Sequence, residues 1–238
     1  MGKRGKRYRA AADRIEAGRL YAPRAAFTLL KEMEGVAYDP TVDCAMRLGI
    51  DPRKADQMIR GAVSLPHGIG KSVTVAVVAA GDKATEATEA GADHVGSDEL
   101  VAQLGDGSLI DELDAVIATP DMMGKLGRLG KILGPRGLMP NPKSGTVTMD
   151  VGKAVAEIKA GRVEYRSDRH GNVHAVLGKV SFSVDQLVDN YGALYEEILR
   201  MRPSAAKGRY LLTVAVSTSA GPSIRLDPAR ARVLVDEA

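Results

Sequence analysis

Basic residues recur at short intervals between Gly124 and Gly145, in a segment that contains no acidic residue. Glycine lets a backbone approach a partner closely or adopt a positive φ, and prolines keep a chain out of helices and central strands. We therefore predict a stiff basic loop that forms no core of its own and binds an anionic polymer. An ordinary solvated loop is the alternative on composition alone. Its cations are Lys125, Arg128, Lys131, Arg136 and Lys143.

A second candidate site follows the predicted strand Tyr210–Ser217. Small and hydroxyl residues run from Thr218 to Ser223, with Gly221 among them. RNA sugars and bases can lie against such a backbone, and the hydroxyls can bond phosphates or 2′-hydroxyls. Taken alone, the Gly-Pro pair in this stretch also favours a plain turn between strands.

Other patterns that could do chemistry are weaker. Gly70-Lys-Ser72 resembles the end of a phosphate-binding loop, but Leu65 stands where the pattern needs glycine, and a strand follows instead of a helix. His170 and His174 straddle a predicted turn without a cysteine cluster, which argues against zinc. We predict no catalytic residue, no metal and no cofactor. A nucleotide-dependent enzyme stays open as the alternative function.

Composition sets further limits. The chain has 238 residues, 45% of them apolar, and no apolar run long enough to span a membrane. Its only cysteine, Cys44, excludes an internal disulfide and favours a cytoplasmic location. No signal peptide is indicated. Tryptophan is absent and phenylalanine occurs twice, which makes broad stacking on bases improbable.

Charge is distributed unevenly along the chain. Residues 68–160 hold nine Lys and Arg against thirteen Asp and Glu, a net of −4, whereas the remainder holds 24 against 17, a net of +7. Such asymmetry favours a polyanion partner for the basic part. The tail from Lys3 to Arg9 adds five positive charges. We expect it to be disordered alone and to order on RNA; a solvated tail without contacts is equally open.

The elements that must position these residues fall into two groups. In the middle third, predicted strands at 73–80, 91–95 and 113–118 alternate with helices, which is typical of a doubly wound, Rossmann-like sheet. Thr41–Leu48 alternates as a half-buried strand. Residues 162–168 and 173–180 predict a hairpin. Ser183 and Gln186 predict a capping box for an amphipathic helix to about Arg202. Its predicted buried stripe is Val184, Leu187, Val188, Tyr191, Tyr195, Ile198 and Leu199.

Together these elements predict a split α+β domain with an inserted Rossmann-like three-layer α/β domain. Residues 1–67 and 161–238 form the split domain, because the N-terminal strand needs partners that the C-terminal segment supplies. Residues 68–160 form the insert. Glycine at both crossings, near 66–70 and 160–161, suits a hinge.

Four sequence blocks, in order and with matching spacing, resemble the ribosomal protein L-one family, the stalk proteins of the large ribosomal subunit. The resemblance runs from about Ala10 to about Leu226. One block is Leu133-Gly-Pro-Arg-Gly-Leu-Met-Pro-Asn-Pro-Lys-Ser-Gly-Thr146. A second consists of Leu48-Gly-Ile-Asp-Pro52, then Asp56-Gln57, then Arg60-Gly-Ala-Val-Ser-Leu-Pro-His-Gly68. The third and fourth are Gly91-Ala-Asp-His-Val-Gly96 and Ala118-Thr-Pro-Asp121.

The resemblance implies an rRNA contact made by the loop after the last long strand together with an aromatic residue before the first. The aromatic is Tyr38 here, for which a role in the core is the alternative. Ser219-Ala220-Gly221 stands where the family commonly has Thr-Met-Gly, so the apolar part of the contact is altered. The predicted RNA-binding set is Tyr38, Thr41, Arg166, Asp168, Arg169, His174, Lys179, Ser217, Thr218, Ser219, Ala220 and Gly221.

The resemblance also implies function. A member of this family is a structural constituent of the large ribosomal subunit, binds its rRNA and forms a mobile stalk. It assists release of deacylated exit-site tRNA and represses translation of its own mRNA. The basic segment would then face the tRNA. Membranes and small-molecule substrates are not expected partners.

Overall fold

The computed structural model describes residues 5–33 and 35–228, which form two compact units. The split unit comprises the residues before Lys71 and those from Val163 onward, and the inserted unit comprises Lys71–Arg162. The helices are α1 Lys6–Ala12, α2 Pro23–Glu32, α3 Asp82–Glu89, α4 Asp98–Asp106, α5 Met123–Leu126, α6 Gly130–Leu133, α7 Val151–Lys159 and α8 Val184–Arg200. The strands are β1 Thr41–Leu48, β2 Arg60–Ser64, β3 Val75–Val78, β4 His94–Gly96, β5 Ala115–Ala118, β6 Arg162–Arg166, β7 Asn172–Lys179, β8 Leu211–Thr218 and β9 Ile224–Leu226.

The main sheet of the split unit has the order β7-β1-β8-β9, and each neighbouring pair is antiparallel. β1 alternates as predicted, with Val42, Cys44, Met46 and Leu48 buried on one face. These side chains share a core with residues of α2 and α8 such as Phe27. Each fully buried side chain of this size stabilises the fold by about 1.5–3 kcal/mol.

α8 closes that core and begins at the predicted capping box. Ser183 Oγ accepts from the Gln186 backbone N–H at 3.1 Å, and Gln186 Oε1 accepts from the Ser183 N–H at 2.9 Å. The buried stripe is largely confirmed, but Leu199 is exposed and Leu194 is buried in its place. At 3.6 residues per turn, Leu194 falls between the lines of buried residues, whereas Leu199 points away from them.

Asn190 is a fully buried polar side chain on α8 that the sequence patterns did not single out. Its Oδ1 accepts from the His67 N–H at 3.0 Å, and its Nδ2 donates to the Gly68 and Leu177 carbonyls at 3.0 and 2.7 Å. Asn190 therefore holds the turn that follows β2 next to Leu177 of β7 through hydrogen bonds to backbone groups of both.

The prediction that β6 and β7 pair with each other along their length as a hairpin is wrong. A turn does join them, with the Asp168 N–H donating to the Asn172 carbonyl at 2.8 Å and one bridge between Ser167 and Val173. Beyond the turn, β6 pairs with β2 and β7 pairs with β1. The strands diverge because β6 buries Tyr165, whose hydroxyl lies 3.3 Å from Glu197 Oε1 on α8.

The inserted unit is a three-layer α/β sandwich, which confirms the predicted fold class. Its parallel sheet has the order β4-β3-β5, and all four residues of β3 are fully buried. Val75 and Val77 pack with α3 and α7 on one face. Ala76 and Val78 pack with α4, α5 and α6 on the other. Ser97 stands at the N-cap of α4, but its side chain makes no capping hydrogen bond.

The basic segment, Gly124–Gly145, is more ordered than a loop. Its first half forms α5, a 3₁₀ turn at Gly127–Leu129, and α6. Leu126, Leu133 and Leu138 are buried in the core of the inserted unit. We predicted that the segment forms no core of its own; these leucines instead join the core that the rest of the inserted unit builds. Leu126 and Leu133 are two helical turns apart, which places both on one side, and the glycines do not prevent these short turns.

The N-terminal tail also differs from its prediction over the residues that the structure describes. Lys6–Ala12 is the helix α1, and Ala11 is buried. The Arg7 guanidinium donates to the Ala220 carbonyl at 3.2 Å. Lys3 and Arg4 lie outside the described residues. The described part of the tail is thus helical and contacts the loop after β8.

Candidate nucleic-acid interface

One face of the main sheet points away from α2 and α8 and carries polar side chains; we call it the open face. Its central strand, β1, contributes Thr41, Asp43, Ala45 and Arg47, each partly or fully exposed. The register sets Thr41 opposite Lys179 and sets Ser217 opposite Asp43 on the other side. A shift in the register after Val42 brings Val176 beside Asp43. Residues far apart in sequence thus share one surface.

One end of the open face collects several of the predicted RNA-binding residues. Lys179 Nζ donates to Thr41 Oγ1 at 2.9 Å, and the Ser219 N–H donates to the Thr41 carbonyl at 3.0 Å. Tyr38 precedes this end and is 57% exposed, so the alternative of a core aromatic is wrong. The Asp39 carboxylate holds the adjoining turn by accepting from the Ser181 N–H and Oγ at 3.0 and 2.7 Å.

The loop after β8 turns sharply beside this end. The Gly221 N–H donates to the Thr218 carbonyl at 3.2 Å. A Cβ at Gly221 would lie 2.4 Å from Thr218 Oγ1, which is closer than real atoms approach, so the turn favours glycine. Thr218 itself is buried, whereas Ser219 is exposed. The bond from Arg7 to Ala220 ties α1 to the loop.

The remaining predicted residues lie toward the opposite end of the sheet. Asn172 pairs with Arg47, six positions along β1 from Thr41, which corresponds to about 20 Å. The turn that carries Asp168 and Arg169 precedes Asn172, so it does not join the Thr41 end. Arg166 and Arg169 are exposed. The exposed His174 pairs with Ala45, between the two ends.

The Asp168 carboxylate is occupied by its own turn. Oδ1 accepts from the His170 and Asn172 N–H groups at 2.7 and 2.8 Å, and Oδ2 accepts from Asn172 Nδ2 at 2.9 Å. Desolvation opposes ionisation, but these hydrogen bonds outweigh it and lower the pKa of Asp168 to about 2. His174 Nε2 lies 3.8 Å from Oδ2. Asp168 therefore shapes the turn between Ser167 and Val173.

Four further side chains on the open face were missed by the sequence patterns. Asp43 and Arg47 alternate with the buried residues of β1, so the alternation could have found them. Thr213 pairs with Arg47, and Arg225 of β9 pairs with Ala215. Their place on this face follows from strand order and register, which no local pattern encodes.

The basic segment presents its cations in two different states. Lys125 forms an ion pair with Asp98, and Arg136 forms one with Asp111. Arg128 and Lys131 are exposed, and within the described residues neither has a carboxylate partner. Lys143 lies in a fixed turn, where its backbone N–H donates to Asn141 Oδ1 at 2.8 Å. Thr146 Oγ1 accepts from the Asn141 N–H at 2.8 Å and stabilises the same turn.

The other chemical patterns have structural explanations. Lys71 forms a 2.5 Å ion pair with Asp114, and Gly70–Ser72 leads into β3 instead of opening a helix. Across the described ranges, 5–33 and 35–228, no group of His, Cys, Asp and Glu side chains is arranged to hold a metal ion. None of the helices within these ranges is both long and apolar enough to cross a bilayer.

The chain combines a two-unit α/β fold with a polar open face on the main sheet of the split unit. Residues 30–222 match the model of the ribosomal protein L1p/L10e family. The chain is 58% identical to "Large ribosomal subunit protein uL1" of Streptomyces virginiae over 99% of this chain and 97% of the relative. It is 59% identical to the protein of that name from Thermobifida fusca (strain YX), over 95% of both chains.

This chain belongs to the ribosomal protein L1p/L10e family. It is a structural protein of the large ribosomal subunit, located in the cytoplasmic ribosome, and not an enzyme. The nucleotide-dependent enzyme is thereby excluded.

Proposed function

We propose that this chain binds large-subunit rRNA through the Thr41 end of the open face and the loop Thr218–Gly221. The observation that carries the proposal is the register of β7, β1 and β8, which gathers Thr41, Lys179 and Ser217 beside that loop. Hydroxyls and an ammonium at fixed positions suit the phosphates and 2′-hydroxyls of RNA, whose relative positions depend on how the RNA folds. The exposed ring of Tyr38 adds an apolar surface at the same end.

Binding by position and shape predicts a preference for one RNA fold, whereas binding by charge alone does not. The test measures dissociation constants for the rRNA stalk fragment and for random RNA of equal length across a salt series. We expect Lys179→Met to weaken binding of the stalk fragment, because it removes a phosphate contact and the bond to Thr41. Lys207→Met, at an exposed loop position of the same unit, is the matched control. Equal affinity of the unmodified protein for both RNAs would refute the proposal.

We further propose that the basic segment contacts deacylated tRNA near the exit site. The exposed, unpaired Arg128 and Lys131 support a phosphate contact, and no acidic residue lies nearby in sequence. Several glycines of the segment, such as Gly124 and Gly127, leave open space where a side chain would stand. A sugar-phosphate backbone could approach closely there.

Separate surfaces for rRNA and tRNA predict a ternary complex. The test adds deacylated tRNA to the protein saturated with the stalk fragment. We expect tRNA to bind without displacing rRNA. Displacement of the fragment by tRNA would show that both RNAs bind one surface and would overturn the proposal of separate surfaces.

Repression of the protein's own mRNA would use the open face, because an mRNA that imitates the rRNA fold meets the same contacts. We expect the leader of that mRNA to compete with the stalk fragment for one site. Simultaneous binding of leader and fragment would contradict this.

A further inference from the structure

Asp43 lies near the middle of the open face, between the strands that flank β1. Val176 of β7 stands beside it on one side and Ser217 of β8 on the other. The next residues on this face are Ala45 and Ala215, whose outer neighbours are the exposed His174 on β7 and Arg225 on β9. Between these two longer side chains, the alanines leave room for a flat or narrow ligand group to come close to Asp43.

The Asp43 carboxylate is half buried, and no described residue donates a hydrogen bond to it. Lys179 and His174 are the charged groups on β7 that act on it, but the Lys179 ammonium is bonded to Thr41. Burial raises the pKa of Asp43, and the two cations only partly offset this. An acceptor without a donor is unfavourable when partly desolvated. The Asp43 carboxylate is therefore open to a hydrogen-bond donor from a ligand.

A carboxylate on a surface that binds RNA restricts what can occupy that position. It repels phosphate at short range. It accepts hydrogen bonds from neutral donors, which in RNA are the ribose 2′-hydroxyl and the amino and imino groups of bases. The Lys179 ammonium and the hydroxyls of Thr41 and Ser217 would contact the RNA backbone around the group that Asp43 binds.

We propose that Asp43 is a specificity-determining residue of the rRNA interface, whose carboxylate accepts a hydrogen bond from a neutral RNA donor and rejects RNA that places phosphate there. The inference rests on the rRNA binding proposed above. A negatively charged side chain then contributes to the recognition of a negatively charged polymer, although a count of charges would predict only repulsion. General affinity and discrimination then depend on different residues of one face.

The test compares Asp43→Asn with Glu196→Gln, which removes the same charge from an exposed position on α8. Dissociation constants are measured for the stalk fragment and for random RNA. We expect both variants to bind random RNA as well as or slightly better than the unmodified protein. Asp43→Asn alone should weaken the stalk complex, so that its discrimination ratio falls about tenfold, as for loss of one base-edge contact.

If Asp43→Asn strengthens binding of both RNAs equally, as Glu196→Gln should, Asp43 is merely a negative charge and the inference is overturned. Failure of the rRNA proposal itself is distinguishable, because the unmodified protein would then show no discrimination to lose. Fragments with single 2′-deoxy substitutions identify the donor. If one such substitution removes the difference in affinity between the unmodified protein and the Asp43→Asn variant, the donor is a 2′-hydroxyl; persistence through all of them assigns a base group.

Discussion

Hydroxyls, cations and a carboxylate stand side by side on the open face, whereas the basic segment carries five cations and no acidic residue. On the open face, the positions of these groups are fixed by strand register. In the basic segment, buried leucines anchor short helical turns, and the charged side chains project from them. The first surface can discriminate by geometry, while the second attracts any polyanion. A fixed rRNA contact and a transient tRNA contact would require such a difference.

The largest effect should come from the sharp turn after β8. Gly221→Val places a branched side chain where even a Cβ would lie 2.4 Å from Thr218 Oγ1. Either the buried Thr218 side chain or the loop must move to make room, which disturbs the neighbouring Ser219 and Ala220. We expect affinity for the stalk fragment to fall about 30-fold or more, which corresponds to about 2 kcal/mol. Titration of labelled fragment measures it.

The control is Ser204→Val, because Ser204 is exposed in a different loop of the same unit. It should bind the stalk fragment normally. Binding of tRNA should be unchanged in both variants. If Gly221→Val leaves rRNA binding intact, the loop after β8 is not part of the site.

A smaller effect is expected in the basic segment. Arg128→Ala combined with Lys131→Ala removes two unpaired cations, so the slope of log affinity for tRNA against log salt should fall by about two. At low salt, affinity for tRNA should fall about tenfold. Affinity for the stalk fragment should not change. Filter binding across a salt series measures both quantities.

A control for net charge removes Lys83 and Lys153, which lie on α3 and α7 on the other face of the parallel sheet and form ion pairs with Glu86 and Glu157. An equal loss of tRNA binding in this control would mean that net charge, and not the basic segment, governs the contact.

The sequence predicted these two surfaces to different extents, for physical reasons. The alternation of β1 and the capping box of α8 are local signals, and both were found. The divergence of β6 from β7 was not found, because burial of Tyr165 against α8 overrides local hairpin preference. Asp43 illustrates the limit best: its strand was predicted, but its neighbours depend on register across β7 and β8.

For the basic segment, the sequence revealed the charges but not the local structure. Its charges were evident from composition, but glycine and proline content obscured the helical spacing of Leu126 and Leu133. The ion pairs of Lys125 and Arg136 depend on tertiary neighbours, which a residue count does not reveal.

The ion pairs of Lys125 and Arg136 lead to a third prediction, in which breaking them strengthens tRNA binding. Asp98→Asn combined with Asp111→Asn frees Lys125 and Arg136 for phosphate. Exposed ion pairs contribute about 0.2–1 kcal/mol each, so affinity for tRNA should rise several-fold at low salt. Asp106→Asn, exposed at the end of α4, shows the effect of removing a charge without freeing a cation. If Asp106→Asn alone raises affinity for tRNA by half as much as the double substitution does, the gain comes from the removed negative charge and not from the broken ion pairs.

The smallest effect concerns stability and tests whether Asp43 is held at a cost to folding. Burial raises the pKa of Asp43 above its ordinary 3.8, so the folded chain binds its proton more tightly than the unfolded chain does. Stability is therefore lost as pH rises through the window just above 3.8. We expect Asp43→Asn to melt slightly higher than the unmodified protein at about pH 7. The difference should vanish at about pH 3, where both side chains are neutral.

Thermal unfolding of both proteins at the two pH values provides the measurement, and Glu196→Gln again corrects for net charge. A higher melting temperature together with weaker discrimination would mean that the open face retains a carboxylate that folding alone disfavours, as binding sites commonly do. A lower melting temperature at neutral pH would mean instead that Asp43 stabilises the sheet through Lys179 and His174. Its effect on RNA would then follow from structure and not from direct contact.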